Sequence, residues 1–108
     1  MGTFKDLDYF EWAKEMDVVS WDNYPGMDTP PSFTAMCHDL MRGIGGNKPF
    51  MLMEQTPNQQ NWFPFCKVKR PGEVRKLSWQ AVAHGADTVQ FFQMKQSIGG
   101  CERFHGAV

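Results

Sequence analysis

No apolar run in the 108-residue sequence approaches the ~20 residues a helix needs to cross a bilayer, so no membrane partner is expected. The opening MGTFKDLDYFEW holds no apolar stretch of the kind a secretory leader carries, and none is expected. Met1-Gly2 begins like an acylation signal, but Asp6 stands where that signal wants Ser or Thr. Cysteine is scarce. Cys37, Cys66 and Cys101 form an odd set without a C-x-x-C pair, and His38, His84 and His105 do not fall at zinc-ligand spacing from them. The expectation is of reduced thiols in a cytoplasmic protein, with no metal and no cofactor. An excess of either charge is lacking too. Eleven Lys and Arg face twelve Asp and Glu, leaving a net charge of -1 and no reason to expect nucleic acid. Lys67, Lys69, Arg70, Arg75 and Lys76 do cluster, and read as a solvated loop. Neither a residue repeat nor a low-complexity segment divides the chain, which reads as part of one domain over 1–108.

Aromatic residues are plentiful, at 14%, which suits an ordinary core and equally a carbohydrate site. Apolar spacing predicts helices near 5–16, 31–43 and 72–85, the second opened by Pro30-Pro31 and closed by Gly43, Gly45 and Gly46. Between them lie short apolar runs that predict strands near 18–22, 50–54 and 88–93, each reading as buried on both faces. Helix and strand alternate, so the fold class is α/β with a parallel sheet. Polar or aromatic residues collect after each strand: Trp21 to Tyr24, Glu54 to Gln55, and Gln93 to Gln96. In parallel α/β sheets that end of the strands is where ligands sit.

The stretch FMLMEQTPNQQNW, residues 50–62, poses the sharpest question. Glu54 follows four apolar residues directly. It is either a solvated charge at a strand end or a partly desolvated carboxylate fit to act as nucleophile or base. Trp62 is either core or a ligand wall whose indole covers the C–H face of a sugar. Glu102 and His105, spaced to share one face of a helical turn, are either a surface pair or a carboxylate and imidazole that bind adjacent hydroxyls. A single E-x-x-H is also half of a metal motif, and one copy is weak evidence for a metal.

Taken in order, VVSWDNYP, FMLMEQTPNQQNW, SWQAVAHGADTVQFFQ and GGCERFHGAV resemble the bacterial β-galactosidases of glycoside hydrolase family 42, over about residues 3–108. The resemblance implies a partial (β/α)₈ TIM barrel, about strands six to eight with their helices. It implies retaining cleavage of terminal β-D-galactose, with Glu54 as nucleophile. It makes Trp62, Glu102 and His105 galactose-binding, with Trp21 and Tyr24 lining the same pocket. The substrate would be a β-galactoside or galacto-oligosaccharide, and the parent enzyme a homo-oligomer, commonly a trimer. Gln93-Met94-Lys95 stands where many members have Q-W-R. The family's acid/base glutamate follows an Asn, and no Asn-Glu pair occurs here. A whole barrel takes ~250 residues. The chain therefore reads as a C-terminal slice beginning after strand five. Two alternatives stay open: a related retaining enzyme such as an α-L-arabinopyranosidase, and an inactive fragment with a binding role.

Overall fold

The structure, a computed structural model, describes residues 4–108; residues 1–3, with the Met1-Gly2 pair, lie outside the described residues. Helices and strands alternate as α1 (Tyr9–Ala13), β1 (Ser20–Asn23), α2 (Pro31–Ile44), β2 (Phe50–Gln55), α3 (Glu73–Ala83) and β3 (Ala86–Phe91). The strands form one sheet in the order β1-β2-β3, and both pairings are parallel. This is the α/β class that the alternation implies.

Local chemistry explains where the boundaries differ from expectation. α1 is shorter than 5–16 because Asp8 caps it, its Oδ1 accepting from the N–H groups of Phe10 and Glu11 at 3.0 and 3.1 Å. Past Ala13 the chain tightens into i to i+3 bonds, ending with Met16 N–H on the Ala13 carbonyl at 3.2 Å. α2 begins at Pro31, whose missing N–H costs a helix nothing there. β3 starts at Ala86, two residues early. Gly85, at φ +104°, turns the chain straight from α3 into the strand.

The core lies between the sheet and the helices. Phe50 and Leu52 of β2 are fully buried and join Val19, Trp21, Cys37, Met41, Ile44, Ala81 and Ala86. The other face of the sheet is uncovered among the described residues. Met53 is 39% exposed, so β2 is not buried on both faces as its apolar run suggested. Four consecutive apolar residues serve two environments, one of them open.

The sheet carries an irregularity that positions the site. Trp21 pairs with Leu52, but Asp22 pairs with Glu54, so Met53 is an extra residue on β2. Strict alternation would send Glu54 to the same face as Phe50 and Leu52, into the apolar core. The extra residue resets the alternation. Gln55 takes the buried position and Glu54 is left half-buried.

Candidate active site

Glu54 lies next to the C-terminal end of β2, the central strand, and the groups around it come from the segments that follow all three strands. The Tyr24 hydroxyl donates to Glu54 Oε2 at 2.5 Å. Burial, and then this bond and the Glu54 charge, hold the phenol well above the usual tyrosine range. Tyr24 is therefore a fixed donor that keeps its proton. Asp22 pairs with Glu54 in register on the neighbouring strand. Burial, and then the Glu54 charge, push its carboxyl up. Beneath the pair, on the core side, the buried Asn23 amide donates to Gln55 Oε1 at 2.9 Å and ties β1 to β2.

Three rings form the wall beside this carboxylate. Tyr24 meets Trp62 edge-on at 4.9 Å between centroids and His105 at 5.6 Å. Trp62 and His105 are 5.4 Å apart, and Phe92 meets His105 edge-on at 5.0 Å. Trp62 remains half-exposed, whereas His105 is fully buried. Both His105 ring nitrogens are buried without a partner among the described residues.

The tail that carries His105 is laced to the rest. Its carbonyl accepts from Gln93 Nε2 at 3.2 Å, Gly106 N–H donates to the Gln59 carbonyl at 2.9 Å, and Val108 N–H donates to the Gln93 carbonyl at 3.0 Å. Gly106 has no room for a side chain, since a Cβ there would stand 2.5 Å from Asn58 Cβ.

The structure thus gathers Glu54, Tyr24, Trp62 and His105. Glu102 sits on the exposed turn just before His105, near enough that its charge acts on Tyr24. That turn is not helical: His105 N–H bonds the Glu102 carbonyl at 2.9 Å, and the two side chains differ, one exposed and one buried. Trp21 does not join the group, which corrects the expectation that it lines the pocket. It alternates with Ser20 and Asp22 along β1 and points into the core, edge-on to His38 at 5.0 Å.

Three contributors were not singled out from sequence. Asp22, the last residue of the expected first strand, meets Glu54 only through the register between β1 and β2. Phe92 looked like strand core. Asn61 clamps the turn bearing Glu102, donating to the Cys101 carbonyl at 2.9 Å and accepting from Phe104 N–H at 3.2 Å. The only sequence signal for Asn61 is its place beside Trp62.

Comparison with known proteins decides the family. The profile of glycoside hydrolase family 42, described as β-galactosidase, matches residues 1–108. The chain belongs to glycoside hydrolase family 42. A β-galactosidase of Planococcus sp. (strain 'SOS Orange') is 67% identical over 108 residues, all of this chain and 16% of that protein. One from Lactobacillus acidophilus is 54% identical over 104 residues, 96% of this chain and 15% of its own length. The crystal structure of the β-galactosidase from Bacillus circulans sp. alkalophilus superposes with a TM-score of 0.92 at 68% identity, covering 99% of this chain and 16% of that one. The chain spans about 16% of the length of these family 42 relatives. No helix among the described residues is long and apolar enough to cross a membrane.

Proposed function

We propose that residues 1–108 are part of the TIM-barrel catalytic domain of a retaining β-galactosidase, about strands six to eight, with Glu54 as its nucleophile. In that reading the open face of the sheet is the barrel interior, and the C-terminal strand ends form the floor of the galactose site. The observation that carries the proposal is the Tyr24 hydroxyl bonded to Glu54 Oε2 within a wall of Trp62 and His105. That bond fixes the carboxylate and leaves Oε1 as the attacking oxygen.

The chemistry follows the two-step scheme of retaining glycosidases. Glu54 Oε1 forms a bond to the anomeric carbon as the bond to the leaving oxygen breaks. A second carboxylic acid, outside residues 1–108, gives its proton to that oxygen. The same group then takes a proton from water, which displaces Glu54 and releases galactose. Tyr24 releases no proton in either step. Trp62 covers the apolar C–H face of the sugar, and Glu102 accepts from a hydroxyl. The unpartnered His105 ring supports a role in hydroxyl binding, since burying polar nitrogens without partners is costly. No step calls for a metal or a cofactor.

The substrate class is a β-galactoside or galacto-oligosaccharide, as the relatives' names support. A cytoplasmic location is supported by three cysteines that are all free thiols. The trimer common in the family is carried over with the resemblance. The test is a panel of nitrophenyl glycosides on the complete protein, with Glu54→Gln alongside. Cleavage of the β-galactoside in preference to the α-L-arabinopyranoside, abolished by the substitution, is expected. Preference for the arabinoside, or turnover that survives Glu54→Gln, refutes it.

A further inference from the structure

A cavity of about 610 Å³, which Glu54 does not line, lies between the segment after β1, the loop between β2 and α3, and the first turns of α2 and α3. Its charged lining is four cations, Lys67, Lys69, Arg70 and Lys76, against one carboxylate, Glu73. That carboxylate is already engaged, its Oε2 accepting from Arg70 N–H at 2.9 Å. Among the described residues the only ion pairs are Lys14–Glu11 and His84–Asp39, so none of the four cations has a carboxylate within 4.0 Å.

Lys69 separates this cluster from an ordinary solvated loop. It is half-buried, and its Nζ has one bond, to the Asn58 carbonyl at 3.3 Å, out of three donors. Burial pushes its ammonium down, against smaller opposing pulls from Glu73 and Cys66. A desolvated cation with no carboxylate in contact, and only the more distant Glu73 charge acting on it, is poorly compensated, and an anion in the cavity relieves it. α2 and α3 add to the same field. Both begin at the cavity wall, at Pro31 and Glu73, and neither has a side-chain cap, so the positive helix ends lie there.

A second group points to more than a bare anion. Gln60 lines the cavity, is only 5% exposed, and donates from Nε2 to the Pro25 carbonyl at 2.9 Å. Its Oε1 is buried with no donor. That oxygen calls for a hydroxyl or amine, as the cations call for a negative group. Phe63 supplies an apolar wall. The volume lies within the range of small-molecule sites and exceeds what inorganic phosphate fills.

We propose that this cavity is a second binding site, separate from Glu54, for a hexose-sized polyol bearing one anionic group, phosphate or carboxylate. Lys69 and its neighbouring cations hold the anion, and Gln60 Oε1 accepts from a hydroxyl.

The test is calorimetric titration of the complete protein with glucose 6-phosphate, glucuronate, inorganic phosphate and glucose, each in the presence of excess galactose to occupy the Glu54 site. Saturable binding of glucose 6-phosphate or glucuronate, weakened by salt, is expected; which of the two binds more tightly assigns the anionic group. Lys69→Met removes a charge-assisted bond and should weaken binding about tenfold or more. Lys76→Met, at an exposed position that tolerates the change, should weaken it less and guards against misfolding of the first variant. Cleavage of a neutral nitrophenyl galactoside should be unchanged in both. Absence of saturable binding by either anion, or affinity unmoved in both variants, overturns the proposal. Inorganic phosphate binding as tightly as glucose 6-phosphate overturns the role given to Gln60.

Discussion

Tyr24→Phe removes one oxygen from the candidate site and leaves the ring. The ring's edge-on contacts with Trp62 and His105, at 4.9 and 5.6 Å, need no hydroxyl, so the wall should stand. What disappears is the 2.5 Å bond to Glu54 Oε2. Two effects on rate oppose each other. A carboxylate that loses a donor becomes a better nucleophile, which favours attack. It also loses its fixed orientation, which disfavours attack. Glu54 is half-buried, so water can replace the phenol as donor and the electrostatic change is small. Water does not hold the carboxylate in one direction. A misplacement of about 1 Å is enough for a ~10²-fold loss, so orientation decides the sign. The expected result for the complete protein is a fall in kcat of about 10- to 100-fold on nitrophenyl β-galactoside, a smaller change in KM, and an unfolding temperature close to that of the parent. Activity within twofold of the parent would show that Tyr24 does not orient Glu54. A large drop in unfolding temperature would show instead that the hydroxyl serves the fold.

Other outcomes follow from the same geometry. Glu54→Gln should lower turnover by more than ~10³-fold, because the amide cannot form the covalent intermediate; Glu102→Gln should cost less, which steady-state kinetics on the two variants will show. Gly106→Ala would bring a Cβ within 2.8 Å of the Gln59 backbone nitrogen, so the tail must shift. About 1–3 kcal/mol of stability should go, and kcat/KM should fall with the displacement of His105. The fully buried His38, between Trp21 and Phe50, is pulled down to about 4, chiefly by burial and then by the His84 charge, against an opposing pull from Asp39. Unfolded, the ring titrates near ~6.5, so between those values the unfolded chain binds the extra proton and stability falls as pH drops through that window. His38→Leu should flatten the fall in unfolding temperature between pH 6.5 and 4; an unchanged pH dependence would discard His38 as its source.

Periodicity along the chain was enough to establish alternating helices and strands, because helix faces and buried runs are local patterns with their own spacing. The start of α2 and the end of α3 were legible for the same reason, since Pro31 and Gly85 act through their own backbone geometry. Glu54 and Trp62 stood out by residue type against their neighbours, Glu102 and His105 by their spacing, and the motif resemblance gave Tyr24 its place in the pocket. What the chain could not reveal locally was direction. Trp21 and Tyr24 are three residues apart, yet one packs on His38 in the core and the other bonds Glu54. The extra residue at Met53 is visible only as a mismatch between β1 and β2, two strands joined through a whole helix. Without that mismatch Glu54 would face the core. Likewise the tail meets the Asn58–Gln60 loop and Gln93 only after the sheet has assembled, and only then does His105 become buried. Local sequence determines which elements form, because their energetics are settled among near neighbours. Side-chain direction at the site belongs to the tertiary structure, because it depends on the register between segments that are distant in the chain.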